Sequence, residues 1–513
     1  MNTLHSLFNF GRCVVTNSRL FTILIAMESI AILLVKWPNQ MLFAAYAFGD
    51  QGANLAADQL LVAGWRPGRD FNYLYGLIPL LVGRVVFGLF GCTPLVYVVS
   101  TYVITMGLAL ILARTAVILN TPFVGRFFLI VALPIASAQL PQLNFAHAIE
   151  ALLLASAVYW QARGKDAWSL AATAVAVLTK PALGYVYGLI LLVRLAVFSW
   201  ISSGSWVRHM VHALLPAAVT GIILVLVLGC WFGLESLLQL LLPFKGQEVY
   251  RYENHGFFTG KGQSFWKPVG ANYHYRYYLG SRAAFWLAAT VFLGVIVVVG
   301  ILRRSVRTQT AFGVVASCAI LHFVFVLFGF GNNYSWTYYA YLLITGIVAS
   351  TALGVWLAKS VWILIGLALI GHYVEARAIA SSWRNLVPSP VTAGLYATQE
   401  MALEWGQILD LAQNRRVFVL NIIGGAFVIE PRIDSSRVWC FYSWMATARE
   451  QQELVSRLRA ADVVVFPKVY LGVHLDRPWH NERVADALMA FRPTYEWKYF
   501  DVLFRNSESR DGD

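Results

Sequence analysis

Apolar runs long enough to cross a bilayer recur through residues 1–375 and then stop. A hydrocarbon core of about 30 Å takes roughly 20 apolar residues of helix, and it admits only structures that satisfy their own backbone hydrogen bonds. Such runs are read at 20–37, 93–113, 122–140, 147–162, 167–181, 182–200, 210–232, 283–302, 309–330, 335–356 and 360–376. The expected fold is a polytopic α-helical membrane protein of about eleven spans, residues 1–376, followed by a soluble α/β domain, residues 377–513. The stretch 73–91 is also apolar, but Arg84 and several glycines interrupt it. It reads as a helix lying on the membrane surface, with a twelfth span as the competing reading.

Composition excludes the other classes. The chain of 513 residues is 58% hydrophobic and 13% charged, against about 25% charged in soluble domains. Its 14% aromatic content and five scattered cysteines fit neither disorder nor a disulfide scaffold. Residues 376–513 hold as many acidic as basic side chains, so the formal net charge of +13 belongs wholly to the apolar part. Nucleic-acid binding needs a basic soluble face, and the sequence offers none.

The basic residues also set an orientation. Arg12 and Arg19 precede the first run, and Arg114, Arg126, Arg163, Lys165, Arg208, Arg303, Arg304, Arg307 and Lys359 mark alternate connections. By the positive-inside rule these connections and the N-terminus are cytoplasmic, and the C-terminal domain is extracytoplasmic. Arg12, Arg19 and Ala45-Tyr46-Ala47 also mimic a cleavable signal. The long run containing Glu28 and ending at Lys36 reads instead as an uncleaved span.

Two outer segments are then long, 38–92 and 233–282. The second combines Lys245, Arg251, Lys261, Lys267, Arg276 and Arg282 with many aromatics. That composition suits an interfacial belt or a cradle for a phosphate-bearing ligand. In the C-terminal part, 416–421, 461–467 and 499–505 read as strands, and 450–460 and 482–491 as helices.

The chemistry-bearing segment runs from Phe48 to Pro79. Asp50 opens a helix-like stretch, where the helix dipole favours a carboxylate. Gly64 suits a helix stop, Pro67-Gly68 a turn, and Arg69-Asp70-Phe71 leads into Tyr73, Tyr75 and Gly76. This segment resembles the first outer loop of the GT-C glycosyltransferases that use a polyprenyl-phosphate sugar, the group of the lipid A aminoarabinose transferase and the protein O-mannosyltransferases. The matching residues are Asp50, Gly64, Arg69, Asp70, Phe71, Tyr73, Tyr75 and Gly76. Asp50-Gln51 stands where the protein mannosyltransferases carry Asp-Glu, which places this chain nearer the broad bacterial branch. A Thr179-Lys180-Pro181 element, the basic-aromatic loop with Glu253, Asn254 and His255, and the C-terminal α/β part extend the resemblance more loosely.

The resemblance implies an inverting glycosyltransferase at the outer face of a bacterial-type inner membrane. It moves a sugar from a polyprenyl-phosphate donor to a glycan, lipid or protein acceptor. A lipid-linked oligosaccharide flippase and an O-antigen-type ligase are the rival readings. Asp50 is the expected catalytic base. Asp70, Arg69, Tyr73, Tyr75 and His255 are expected at donor or acceptor, and Lys180, Arg251, Lys261 and Arg276 at the lipid phosphate. Each has a plainer reading beside it: Asp50 and Asp70 as caps, Tyr73 and Tyr75 as interfacial anchors, Lys180 as a snorkelling charge. Where some relatives carry a second aspartate this chain has Asn144 and His147, with Glu150 just inside the next span. No cofactor is expected, no ligand cluster for a divalent ion is evident, and metal dependence stays open. Glu28, mid-span, has no assigned role.

Overall fold

The computed structural model describes residues 13–73, 75–137, 145–202, 206–241, 283–303, 309–328, 340–421, 424–437, 447–468 and 482–506. The chain opens with α1 (Ser18–Val35), capped by the Asn17 side chain, which accepts from the Arg19 and Leu20 amides. Four helices make up the first loop: α2 (Trp37–Gln40), α3 (Phe43–Phe48), α4 (Asp50–Val62) and α5 (Leu77–Phe90). Then come α6 (Pro94–Ile118), α7 (Phe123–Ser137), α8 (Phe145–Ala162), α9 (Asp166–Thr179), α10 (Pro181–Ser202), α11 (Trp206–Phe232) and the short α12 (Leu234–Leu241). The bundle finishes with α13 (Ala283–Leu302), α14 (Thr310–Phe328), α15 (Ala340–Ser350) and α16 (Val355–Asn385).

The eleven predicted spans correspond to α1, α6 to α11 and α13 to α16. Among the described residues four helices, at Ser18–Val35, Pro94–Ile118, Met210–Phe232 and Val355–Asn385, are long and apolar enough by themselves to cross a membrane. Phe21, Leu112, Phe128, Leu154, Tyr187 and Tyr341 are buried between helices, while Met27, Leu34, Ile222 and Leu226 face outward. Outward leucines and isoleucines on every turn suit lipid, not water. The last helix departs from expectation: the predicted span ends at 376, yet α16 continues to Asn385 over 31 residues, about 46 Å of helix.

The stretch read as a surface helix is α5, 14 residues long. It packs against α4, α9 and α11. Arg84, which interrupts its apolar pattern, places Nη1 2.8 and 2.9 Å from the two carboxylate oxygens of Asp58 on α4.

After α16 come β1 (Val387–Pro388) and β2 (Tyr396–Ala397), which pair antiparallel, and then α17 (Gln399–Ala412). The rest is β3 (Val417–Val419), α18 (Ala426–Ile429), β4 (Asp434–Ser435), α19 (Ala448–Ala460), β5 (Val463–Pro467), α20 (Glu482–Leu488), β6 (Phe491–Glu496) and β7 (Phe500–Arg505). The strands form one sheet in the order β4-β3-β5-β7-β6. The β3/β4 and β3/β5 pairs are parallel, and β7 is antiparallel to both neighbours. The helix expected at 482–491 ends at Leu488, and Phe491 already begins β6.

Alternation along the strands divides two cores. Phe418, Leu420, Val464, Phe466 and Leu503 pack with Leu454, Leu458 and Val484 of α19 and α20. Val417, Val419, Val463, Val465 and Val502 face α17 and, beyond it, the first loop. The fully buried Trp405 of α17 is the keystone there: its ring lies 5.0 Å from Phe43, 5.9 Å from Phe48 and 5.8 Å from Phe500. The sheet and the first loop therefore share one apolar core and lie at the same end of the bundle.

Polar contacts reinforce this seam. Thr447 and Glu450 form a capping box at the start of α19. Both reach across as well: Thr447 Oγ1 donates to the Asp70 carbonyl at 2.7 Å, and Glu450 Oε2 accepts from the Asn72 amide at 2.9 Å. Arg449 lies 4.0 Å from the Trp65 ring and 3.5 Å from Asp70 Oδ1.

Trp405→Ala is expected to lower stability by about 3–5 kcal/mol, the usual range for emptying a buried aromatic site. Thermal unfolding in detergent reads the loss, and an unchanged midpoint would contradict the shared core. A second expectation concerns pH. Burial pushes Glu450 from 4.5 up to about 8, against the lowering effect of the Thr447 and Asn72 amides. The folded chain then holds a proton that the unfolded chain releases at lower pH. Stability from this group is present below pH 4.5 and declines as pH rises through about 8. Melting midpoints across that range should fall more steeply in wild type than in Glu450→Gln.

Candidate active site

Asp50 is the first residue of α4, after an extended Gly49. One turn on, Asn54 turns back, and its Nδ2 donates to the Asp50 carbonyl at 2.7 Å. Asn54 Oδ1 accepts from Tyr73 Oη at 3.2 Å. Tyr73 is buried, and burial followed by the nearby Asp50 charge raises its phenol above the usual value. It is therefore held as a neutral donor beside the carboxylate.

From Tyr73 a row of side chains continues. The Tyr73 and Tyr75 rings meet edge to face at 5.6 Å, and Tyr75 meets His147 of α8 in the same way at 5.5 Å. His147 Nδ1 is 3.2 Å from Lys180 Nζ, and Glu150 Oε2 lies 3.9 Å from both. Lys180 stands at the break between α9 and α10, in extended conformation, with Pro181 opening the next helix. Proline cannot continue the α9 hydrogen-bond ladder, and it keeps its preceding residue out of the helical region.

Gly76 joins the loop to that break. Its amide donates to the Thr179 carbonyl at 2.8 Å. A Cβ at position 76 would lie 1.9 Å from the Leu178 carbonyl oxygen. Only glycine lets the Tyr73–Tyr75 strip settle over Lys180.

Asp70 is engaged elsewhere. Among the described residues its carboxylate accepts from the Arg66 amide at 2.8 Å and from Arg69 at 2.7 and 3.1 Å, with Arg449 at 3.5 Å. Burial opposes the charge, but the Arg69 and Arg66 hydrogen bonds and the two guanidiniums hold Asp70 below the usual carboxylate range. Arg69 and Asp70 thus close the Pro67-Gly68 turn and meet the sheet, while Asp50, Tyr73, Tyr75 and Lys180 form the row. His255, Arg251, Lys261 and Arg276 lie outside the described residues.

Sequence reading left His147, Glu150, Asn54, Asp58 and Arg84 out of the expected site. The available signal was charge: Lys180 and Arg84 sit in apolar stretches, where an ionic group takes a partner. His147 and Glu150, three residues apart on one helix face, and Asp58 were the candidates. A small cavity of about 10 Å³ lies beside the row, lined by Asn54, Asp58, Tyr73, Arg84, Phe87 and Phe145 among others. Among the described residues no group of three His, Cys, Asp or Glu side chains is placed to hold a metal ion.

No family model matches this sequence, and no curated protein matches it. Its fold is similar to that of ArnT from Cupriavidus metallidurans in the crystal structure bound to undecaprenyl phosphate. The TM-score is 0.53 at 13% identity, covering 93% of this chain and 97% of the other. The apo crystal structure of the same ArnT aligns over 94% of this chain with a TM-score of 0.41 and 14% identity. The likeness in fold to the undecaprenyl-phosphate-bound ArnT structure runs along nearly the whole chain.

Proposed function

We propose that this protein is an inverting membrane glycosyltransferase. It moves one sugar from a polyprenyl-phosphate donor to an envelope glycan or lipid at the outer face of the inner membrane. The observation that carries this reading is the row running from Asp50 at the head of α4, whose backbone carbonyl takes Asn54, to the Lys180 ammonium at the break between α9 and α10. The similar ArnT structure holds undecaprenyl phosphate, which is the donor class that the first loop suggested.

The chemistry divides between the two ends. The acceptor hydroxyl oxygen attacks C1 of the sugar as the bond from C1 to the phosphate oxygen breaks, which inverts the anomeric centre. Asp50 takes the hydroxyl proton, a base role that contributes about 10²- to 10⁴-fold. Lys180 meets the charge that grows on the departing lipid phosphate. His147 and Glu150 hold the ammonium in place. Tyr73 and Tyr75 wall the space between, and the resemblance of the sequence assigns Arg251, Lys261, Arg276 and His255 to the donor.

Protein in lipid vesicles, given defined polyprenyl-phosphate sugars and an envelope extract, is expected to transfer one sugar class. Folded Asp50→Asn should lose transfer by at least about 100-fold. Retained activity would remove Asp50 as base, and absence of transfer by wild type with every donor would overturn the enzyme reading. Lys180→Met should weaken transfer by about 10- to 100-fold, the range for one charged hydrogen bond. An unchanged rate would remove Lys180 from the phosphate.

A further inference from the structure

The C-terminal sheet ends against the turn that carries Asp50. Strands β4, β3 and β5 run parallel, with β3 in the middle. The chain leaves β3 for β4 on one side and then crosses to β5 on the other. In open α/β sheets the carboxyl ends of strands beside such a reversal are where ligands and functional loops gather. Here that place is taken by the chain's own Phe48–Gly52 segment. Asn421, just beyond β3, is buried, and its Nδ2 donates to the Phe48 carbonyl at 2.9 Å. Ser436, just beyond β4, fixes Asn421 in turn: its Oγ donates to the Asn421 carbonyl at 2.6 Å and accepts from the Asn421 amide at 3.1 Å.

Backbone approaches at the same point leave no slack. A Cβ on Gly425 would lie 2.4 Å from the Tyr46 carbonyl oxygen and 2.7 Å from the Gly52 Cα. A Cβ on Gly52 would lie 1.8 Å from the Tyr46 carbonyl oxygen. The Asp50 turn is thus enclosed by Gly425 and Asn421. The other end of the loop is held by the start of α19, because Thr447 and Glu450 take the Asp70 carbonyl and the Asn72 amide just before Tyr73.

We infer that Asn421 and Thr447 are positioning residues of the transferase site, the first setting the Asp50 turn and the second the Tyr73 strip. The inference rests on the glycosyl-transfer reading of Asp50. Neither residue touches the reacting atoms. Each fixes the backbone from which a reacting or walling side chain projects, and a displacement of about 1 Å at such a group can cost on the order of 100-fold in rate.

The test compares Asn421→Leu, which keeps the branched shape and removes the donor, with wild type, Asp50→Asn, Thr447→Val and Thr447→Ser. Asn421→Leu is expected to lower kcat by about 10- to 100-fold with the donor KM within twofold. Hydrogen exchange at the amides of residues 50–54 should speed up, while exchange within β5 stays as in wild type. Thr447→Val should lower kcat in the same sense, and Thr447→Ser, which restores the hydroxyl, should recover it. A folded Asn421→Leu with wild-type kcat and wild-type exchange overturns the role of Asn421, as does a loss that lies in donor KM alone. Thr447→Val decides the inference if Asn421→Leu does not fold: wild-type kcat there, or no recovery with serine, overturns it. Activity retained in Asp50→Asn defeats the glycosyl-transfer base instead, and the exchange measurement then still reports whether Asn421 holds the turn.

Discussion

Lys180 carries a charge into a stretch of chain that is otherwise apolar, and much of the site's architecture follows from how that charge is accommodated. An ammonium surrounded by hydrocarbon takes partners or reaches water. Pro181 breaks the helix at this residue, so the side chain leaves an extended backbone and meets His147 and Glu150 on the neighbouring helix. The same break exposes the Thr179 carbonyl, and the Gly76 amide takes it. One interruption of regular structure thus places a cation and anchors the loop that carries the aromatic strip.

The first loop is held from two directions. The bundle holds it through the Thr179 carbonyl, which takes the Gly76 amide, and within the loop the Asp58–Arg84 pair keeps α5 against α4. The C-terminal part holds it through Trp405, Asn421, Thr447 and Glu450. Buried, hydrogen-bonded groups at both ends restrict the loop's conformations, and a restricted loop is what lets a carboxylate and a cation keep a fixed separation. The sheet belongs to the site's construction through a shared core, although it lies hundreds of residues from Asp50 in sequence.

Much of the fold was legible before any coordinates. Each of the eleven apolar runs holds a helix, from the 11 residues of α15 to the 31 of α16. The stretch 73–91 holds the 14-residue helix α5. Val463–Pro467 is a buried strand, as its unbroken apolar run required. Less legible was α17, whose buried positions Met401, Trp405, Ile408 and Leu409 repeat at helical spacing but are interleaved with polar residues. The end of α16 was missed because Arg377 and Arg384 look like a boundary, and a helix leaving the membrane continues through such residues without penalty. At the site, Asp50, Tyr73, Tyr75 and Lys180 stood out by residue type and local pattern. His147 and Glu150 did not, since their part in the row depends on α8 lying beside the Lys180 break.

The sequence by itself determined which segments are apolar helices and where the chain turns polar. These properties are set by composition and period over windows of a few to twenty residues. Tertiary structure alone decided that Lys180 sits with His147 and Glu150, and that Asn421 holds the Phe48 carbonyl. Those outcomes depend on contacts between residues as many as 373 positions apart. Local pattern carries no record of them, because packing between distant elements selects which of several chemically equivalent groups meet.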